Sequence, residues 1–109
     1  LNPDFHLVFL VNLSRYLGFA PHNNYNDDEC YFEMSEGVFI TGKETPYVLD
    51  KDDSRLLNDL LNESLFTNEP LKITRSERRQ MMHHLLKYYQ LHLENFTLKS
   101  PEILEALLD

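Results

Sequence analysis

The stretch that decides the fold is TRSERRQMMHHLLKYYQLHLEN, residues 74–95. It opens with Thr74 and, three residues later, Glu77, which together form a capping box that satisfies free backbone N–H groups at the start of a helix. Apolar side chains then recur at helical spacing, namely Met81, Met82, Leu85, Leu86, Tyr89 and Leu93. The pattern predicts a helix over residues 75–95, the longest in the chain.

The beginning of the chain carries a second helical signal. The tripeptide NPD at residues 2–4 supplies a capping side chain, a proline for the first turn and an acidic residue, and Gly18 offers a left-handed stop. These signals and the length favour a helix over residues 3–17 against a strand over residues 7–11. In its first half the apolar positions run nearly all round the axis, which predicts packing on more than one side.

Turn-forming residues dominate residues 19–49, between this helix and the next. Two short apolar runs, residues 30–34 and 38–41, flank Ser35-Glu36-Gly37. This arrangement predicts a small β-hairpin with Gly37 in the left-handed position of its turn. A two-stranded ribbon is only marginally stable alone, so we expect the hairpin to pack on a helix.

Two further helices complete the predicted fold. Asp50, followed three residues later by Asp53, resembles a capping arrangement and opens a helix over residues 50–66, and Ser100 begins a short last helix. The sequence thus predicts one mainly α domain over residues 1–109, a four-helix core with a small β-hairpin insert between the first and second helices. Six positions are expected to be buried: Leu10, Leu13, Leu57, Leu61, Leu85 and Tyr89.

Composition limits the class of protein. The chain has 109 residues, 42% of them apolar and 26% charged, as in a single soluble domain. Its net charge of -8 opposes binding to a phosphate backbone. No apolar run approaches the roughly 20 residues of a membrane span. The single cysteine, Cys30, excludes an internal disulfide, and this favours a reducing, cytoplasmic location. Because Leu1 stands where an initiator Met would, we expect part of a longer protein.

The spacing of ligand and catalytic residue types argues against a metal site and against an enzyme. Cys30 has no Cys or His within the roughly two to four residues that zinc ligands require, and the neighbours His83 and His84 point about 100 degrees apart on a helix. No phosphate-binding glycine loop, nucleophile elbow or metalloprotease pair occurs. We therefore expect no metal, no cofactor and no enzymatic activity.

The most informative feature is a local reversal of charge. Lys72, Arg75, Arg78 and Arg79, here called the cationic cluster, contain four of the ten cations and face only Glu77 within the same stretch. The three arginines share one helix face because they stand at i, i+3 and i+4. Two interpretations stay open: a solvated face, or a binding surface for phosphates or an acidic peptide.

Met81 and Met82 follow the cationic cluster directly. A methionine pair beside arginines could line an adaptable groove for an amphipathic ligand. Filling the core is the commoner use of such a pair. Both uses stay open at this point.

The order of several short motifs resembles the C-terminal region of the RecO family of bacterial recombination mediators. The likeness rests on LSRYLGFAP at 13–21, YFEMSEGVF at 31–39, TRSER at 74–78, YYQLHL at 88–93 and LKS at 98–100. In that family a helix ending in a leucine-glycine-aromatic step is followed by a small zinc-binding or hairpin insert and then by a helical array. The likeness covers essentially the whole chain and points to the Bacteroides-type branch.

Two departures from the family pattern follow from the same comparison of motifs. Many members hold zinc with four cysteines in the insert, whereas this chain has Cys30 alone. We therefore expect the hairpin aromatics Tyr31, Phe32 and Phe39 to replace the metal by packing. Family members also carry an N-terminal oligonucleotide-binding barrel, the OB-fold, which is missing here and would be the principal reader of DNA.

The resemblance implies a non-enzymatic mediator of DNA repair and homologous recombination that loads recombinase onto single-stranded DNA and anneals strands. Its implied partners are RecR, the acidic tail of the single-stranded DNA-binding protein and, indirectly, the recombinase RecA. We expect the tail to dock at the start of the long helix, on Lys72, Arg75, Arg78, Arg79, Met81 and Met82, with Arg15 as the second candidate anchor. The alternative is a generic helical protein-interaction module unrelated to DNA repair.

Overall fold

The computed structural model describes residues 2–42, 45–63 and 70–93. These residues form three α-helices with a two-stranded antiparallel sheet between the first two. The elements are α1 (Phe5–Leu17), β1 (Tyr31–Glu33), β2 (Val38–Ile40), α2 (Lys51–Leu61) and α3 (Arg75–His92). The mainly α fold with a hairpin insert is confirmed for these residues, whereas the helix predicted from Ser100 lies outside them.

The second and third helices begin at their capping residues. The Asp50 side chain accepts a hydrogen bond from the Asp53 N–H at 2.8 Å. Thr74 and Glu77 form the complete capping box, with bonds of 3.0 and 2.9 Å. Both helices end earlier than their apolar patterns predict, α2 before residue 66 and α3 before residue 95. At the end of α2, the Asn62 side chain donates a hydrogen bond to the Asn58 carbonyl, one turn earlier, at 2.8 Å.

The first helix begins two residues later than predicted. Asn2 accepts a hydrogen bond from the Asp4 N–H at 2.9 Å, so it caps a turn in front of the helix. Asp4 occupies the N-cap position, but its side chain points away from the helix that it precedes. At the other end Gly18 adopts the predicted left-handed conformation, with φ of 92°.

The core lies where α1 packs against both other helices and where the hairpin packs on α2. Its buried apolar side chains are Leu7, Val8, Val11, Phe32, Met34, Phe39, Leu49, Leu56, Leu57, Leu60, Leu61, Met81, Met82, Leu85, Leu86, Tyr88 and Tyr89. Four of the six predicted core positions are thus fully buried. Leu10 and Leu13 are partly buried and pack against this core.

Two adjacent tyrosines of α3 hold the first helix and the start of the segment that follows it. The Tyr89 hydroxyl donates to the Leu10 carbonyl at 2.5 Å, and the Tyr88 hydroxyl donates to the Phe19 carbonyl. Burial raises the pKa of Tyr89 to about 12, so its hydroxyl stays a neutral donor. The Phe19 ring also stacks on His92, with ring centroids 5.7 Å apart. α3 therefore holds the middle of α1 and the residue after its C-cap.

The hairpin is flanked on both edges. On the outer side of β2, the Asn24 carboxamide accepts from the Phe39 N–H at 3.0 Å and donates to the Phe39 carbonyl at 2.9 Å. On the side of β1, the Leu49 N–H donates to the Phe32 carbonyl at 2.9 Å. The Phe32 and Phe39 rings are both 1% exposed and lie 5.0 Å apart, while Tyr31 is half-buried.

A buried carboxylate organises the hairpin turn. Glu33 is 4% exposed and accepts hydrogen bonds from the Ser35 hydroxyl, the Glu36 N–H and the Thr45 hydroxyl at 2.6 to 2.7 Å. Burial alone would raise the pKa of Glu33, but these hydrogen bonds outweigh it and hold the pKa below its usual range. Gly37 takes the predicted left-handed conformation, with φ of 69°.

None of the helices in these described ranges has the length and apolar content needed to cross a membrane.

Candidate functional site

The cationic cluster lies in the segment before α3 and in the first turns of that helix. Lys72, Arg75 and Arg79 are exposed to solvent. Hydrogen bonds from the Thr74 backbone and hydroxyl hold the pKa of the exposed Glu77 carboxyl below its usual range, so Glu77 stays an anion within the cluster. Three of the four predicted cations are thus placed on the surface of one helix start.

Arg78, the fourth cation, is partly buried and pairs with a buried carboxylate. Its Nε donates to Oδ1 of Asp4 at 3.0 Å, and Asp4 is only 1% exposed. The other carboxylate oxygen, Oδ2, accepts from the Leu71 N–H at 2.7 Å. Arg78 therefore neutralises a buried charge and ties the start of α1 to the start of α3. The sequence assigned this residue to a partner, and the structure gives it a role inside the fold.

Arg15, the second candidate anchor, lies at the opposite end of α1. Its guanidinium donates to the Leu61 carbonyl at 2.5 Å and to the Asn12 side chain at 2.9 Å. The Leu61 carbonyl is one of the last of α2, so Arg15 satisfies an acceptor left over at that helix end. Arg15 lies eleven positions after Asp4, about 16 Å along the helix axis at 1.5 Å per residue. The structure does not bring Arg15 into the cationic cluster.

Met81 and Met82 do not line a surface groove. Their exposed fractions are 0% and 2%, and both belong to the hydrophobic core. The groove interpretation is corrected here, because α3 turns this pair toward α1 and α2 and the arginines lie one turn earlier. Their use is core filling, which the sequence had left open.

A second polar cluster joins α2 to α3. The Asp53 carboxylate, which is 7% exposed, accepts from Nε2 of Gln80 at 2.9 Å and lies 3.0 Å from Nε2 of His84. The sequence suggested Asp53 only as part of a cap. Along the chain, Asp53 is 27 residues from Gln80 and 31 residues from His84. No local or periodic pattern in the sequence links residues that far apart.

The outward face of α1 carries aromatic side chains in contact with solvent. Phe9 is 43% exposed and Tyr16 is 87% exposed, while Phe5 is partly exposed. The Phe5 and Phe9 rings stack at 6.0 Å between centroids. At 100 degrees per residue these three positions fall within about 40 degrees of one another. They form one line, here called the aromatic stripe (Phe5, Phe9 and Tyr16).

The residues of the hairpin do not fit a zinc site. Structural zinc takes four ligands, mainly cysteine and histidine, and the sequence has a single cysteine, Cys30, which is buried. In the part of the chain that the structure describes, no three His, Cys, Asp or Glu side chains are grouped so as to hold a metal ion. The buried Phe32 and Phe39 rings pack against each other across the two strands.

Comparison with known proteins finds one family that is similar to nearly the whole chain. The family model described as "Recombination protein O C terminal" matches residues 2–102. The DNA repair protein RecO of Azobacteroides pseudotrichonymphae is 36% identical over 109 residues, which cover 97% of this chain and 45% of that protein. The DNA repair proteins RecO of Christiangramia forsetii and Flavobacterium johnsoniae are 33% and 36% identical over 104 residues, which cover 95% of this chain and 42% of each relative. No solved structure matches the chain.

The extent of the match decides the assignment. The chain spans less than half of the length of these relatives, while the family match covers nearly all of the chain itself. The chain therefore belongs to the recombination protein O family and corresponds to the C-terminal region of that family.

Proposed function

We propose that this chain is the partner-docking part of a non-enzymatic mediator of DNA repair and homologous recombination. Such a mediator helps to load recombinase onto single-stranded DNA and to anneal strands, working with RecR, with the single-stranded DNA-binding protein and, indirectly, with RecA. The match to the C-terminal region of recombination protein O supports the repair role. The part that binds DNA most strongly would then lie in the remainder of the longer protein.

The observation that carries the docking role is the group of exposed cations at the start of α3. Lys72, Arg75 and Arg79 reach solvent on a chain whose net charge is -8, so a locally positive surface stands out against an acidic background. Two half-buried apolar residues, Leu71 and Ile73, lie beside them and pack against the core. Cations next to apolar side chains suit an acidic peptide that also carries an aromatic ring.

The burial of Met81 and Met82 and the pairing of Arg78 change the details of this site. Arg75 and Arg79 become the residues that would contact the acidic groups of the tail, because both side chains are exposed to solvent, whereas Arg78 is partly buried beside Asp4. Leu71 and Ile73 replace the methionines as the apolar neighbours of its aromatic ring. Each charge-assisted contact is worth about 1.5 to 3 kcal/mol, and salt should weaken binding because the surface is exposed.

Fluorescence anisotropy with a labelled acidic, aromatic-ended tail peptide tests this proposal. The 109-residue chain is compared with the double variant Arg75→Glu, Arg79→Glu. The matched control is Lys51→Glu, Arg55→Glu, which makes the same change in net charge at two exposed positions four residues apart on α2. We expect the α3 variant to lose about tenfold or more in affinity, one charge-assisted contact or more, and the α2 variant to bind within a factor of about two of wild type.

Each outcome of the titration has a distinct meaning. Equal loss in both variants would show that only the overall charge matters and would contradict a site at the start of α3. Absence of binding to the wild-type chain, with its fold intact by circular dichroism, would leave the generic helical interaction module. Tight binding of single-stranded DNA by the 109-residue chain at physiological salt would contradict the placement of the DNA reader outside it.

A further inference from the structure

The aromatic stripe on α1 is a surface that the docking role does not use. We propose that this face docks against the part of the longer protein that precedes this chain, here called the upstream half. α1 would then form the interface between the two halves. The inference goes beyond the proposed function, and it would hold whichever partner binds at the start of α3.

The first step is that α1 carries more apolar residues than the described fold buries. The apolar pattern of its first half runs nearly all round the axis and predicts packing on more than one side. The structure buries one side, with Leu7 and Val11 at 1% exposure in the core. Phe5, Phe9 and Tyr16 lie on the opposite side, about 180 degrees away at 100 degrees per residue. The helix therefore has a second apolar face that the core does not use.

The second step concerns the polar group within this face. Asn12 stands between Phe9 and Tyr16, where an unsatisfied amide would oppose burial. Its side chain donates to the Val8 carbonyl at 2.8 Å and accepts from Arg15 at 2.9 Å. Because these bonds are made within the chain, an apolar partner can cover Asn12 without depriving it of its hydrogen bonds.

The third step identifies the occupant by size and connection. The outer face of a 13-residue helix is about 20 Å long and 10 Å wide, or about 200 Å², whereas a stable complex of separate molecules buries roughly 800 Å² on each partner. A second copy of the chain would not be held by this stripe alone. A covalently joined segment needs less area, because tethering supplies an effective concentration of about millimolar.

Such a segment is indicated by the relatives. The matched region covers only 42% to 45% of their length and corresponds to the C-terminal part of the family. In a protein of that length the upstream half would join the chain directly before α1. The stripe begins at Phe5, within one helical turn of that junction, so the upstream half has the shortest reach to it.

Thiol labelling of the 109-residue chain and of the longer protein tests whether the upstream half covers the aromatic stripe. Tyr16→Cys places a thiol at the C-terminal end of the aromatic stripe, and Gln90→Cys places one at an exposed position of α3. The native Cys30 is buried and serves as the slow internal reference. Maleimide labelling of each site is followed by mass spectrometry, and thermal unfolding confirms that each variant is folded.

We expect the thiol at position 16 to react about tenfold or more slowly in the longer protein than in the 109-residue chain, the factor being set by how rarely the docked face opens. The thiol at position 90 should react equally fast in both. Equal rates at position 16 in the two proteins would overturn the proposal. Slow labelling of the 109-residue chain that becomes fast on dilution would overturn it as well, because a second copy would then be the occupant.

Discussion

Replacing Arg78 by alanine should destabilise the domain far more than an ordinary surface substitution. The change leaves the Asp4 carboxylate, which is 1% exposed, without its guanidinium partner. Breaking a buried ion pair in this way costs about 3 to 5 kcal/mol. The Arg78 side chain is 25% exposed, and the Leu71 N–H still donates to Asp4. Water and this remaining bond reduce the expected cost to about 2 to 4 kcal/mol.

Urea unfolding followed by circular dichroism measures this cost directly. Thermal unfolding gives a second measure. For a domain of about 100 residues, a loss of 1 kcal/mol in the free energy of unfolding lowers the melting temperature by about 5 °C. The melting temperature of Arg78→Ala should therefore fall by about 10 to 20 °C. Lys72→Ala, an exposed cation of the same cluster, is the matched control and should stay within about 0.5 kcal/mol of wild type.

A double-mutant cycle shows whether the loss belongs to the pair. Asp4→Asn should also destabilise, and Asp4→Asn combined with Arg78→Ala should cost less than the sum of the single changes, with a coupling of about 1 kcal/mol or more. Additive single effects, or an Arg78→Ala variant as stable as Lys72→Ala, would refute the view that Arg78 is a structural residue.

Three further predictions concern the hairpin. Gly37→Ala should lose about 2 kcal/mol or more, from the left-handed backbone and because a Cβ would lie 2.8 Å from the Tyr88 hydroxyl, whereas Gly42→Ala, which meets nothing within 4 Å, should change little in the same urea titration. Glu33 has a lowered pKa when folded, so its contribution to stability is complete above the usual value of 4.5 and is lost as pH falls through the folded value. The difference in free energy of unfolding between wild type and Glu33→Gln should therefore shrink from about pH 6 to about pH 3, and a constant difference would contradict this. Because Cys30 has no companion ligand, elemental analysis should find no stoichiometric zinc, and a chelator should leave the melting temperature unchanged.

Much of the fold could be predicted because its signals are local. The Thr74–Glu77 capping box and the cap at Asp50 each depend on residues three apart, and both are present as predicted. Gly18 and Gly37 take left-handed conformations for the same local reason. Helix ends were less well predicted, because the apolar pattern continues past the point where the backbone turns away.

The site was harder to predict because its contacts are not local. Arg78 and Asp4 are separated by 74 residues, so an arginine at i+3 in a cationic run gives no sign that it points inward. The burial of Met81 and Met82 depends on which side of α3 meets the other helices, and both sides were acceptable from composition alone. In α1, conversely, the apolar pattern predicted a second packed side that the described residues leave open to solvent.

The Asn24 side chain has a consequence for how any peptide can approach this domain. By exchanging two hydrogen bonds with the backbone of Phe39, it acts as a one-residue imitation of a neighbouring strand. An extended ligand that tried to lengthen the sheet at β2 would first have to displace this amide and would gain no backbone pairing at that position. Strand addition is thus disfavoured at the β2 edge of the sheet.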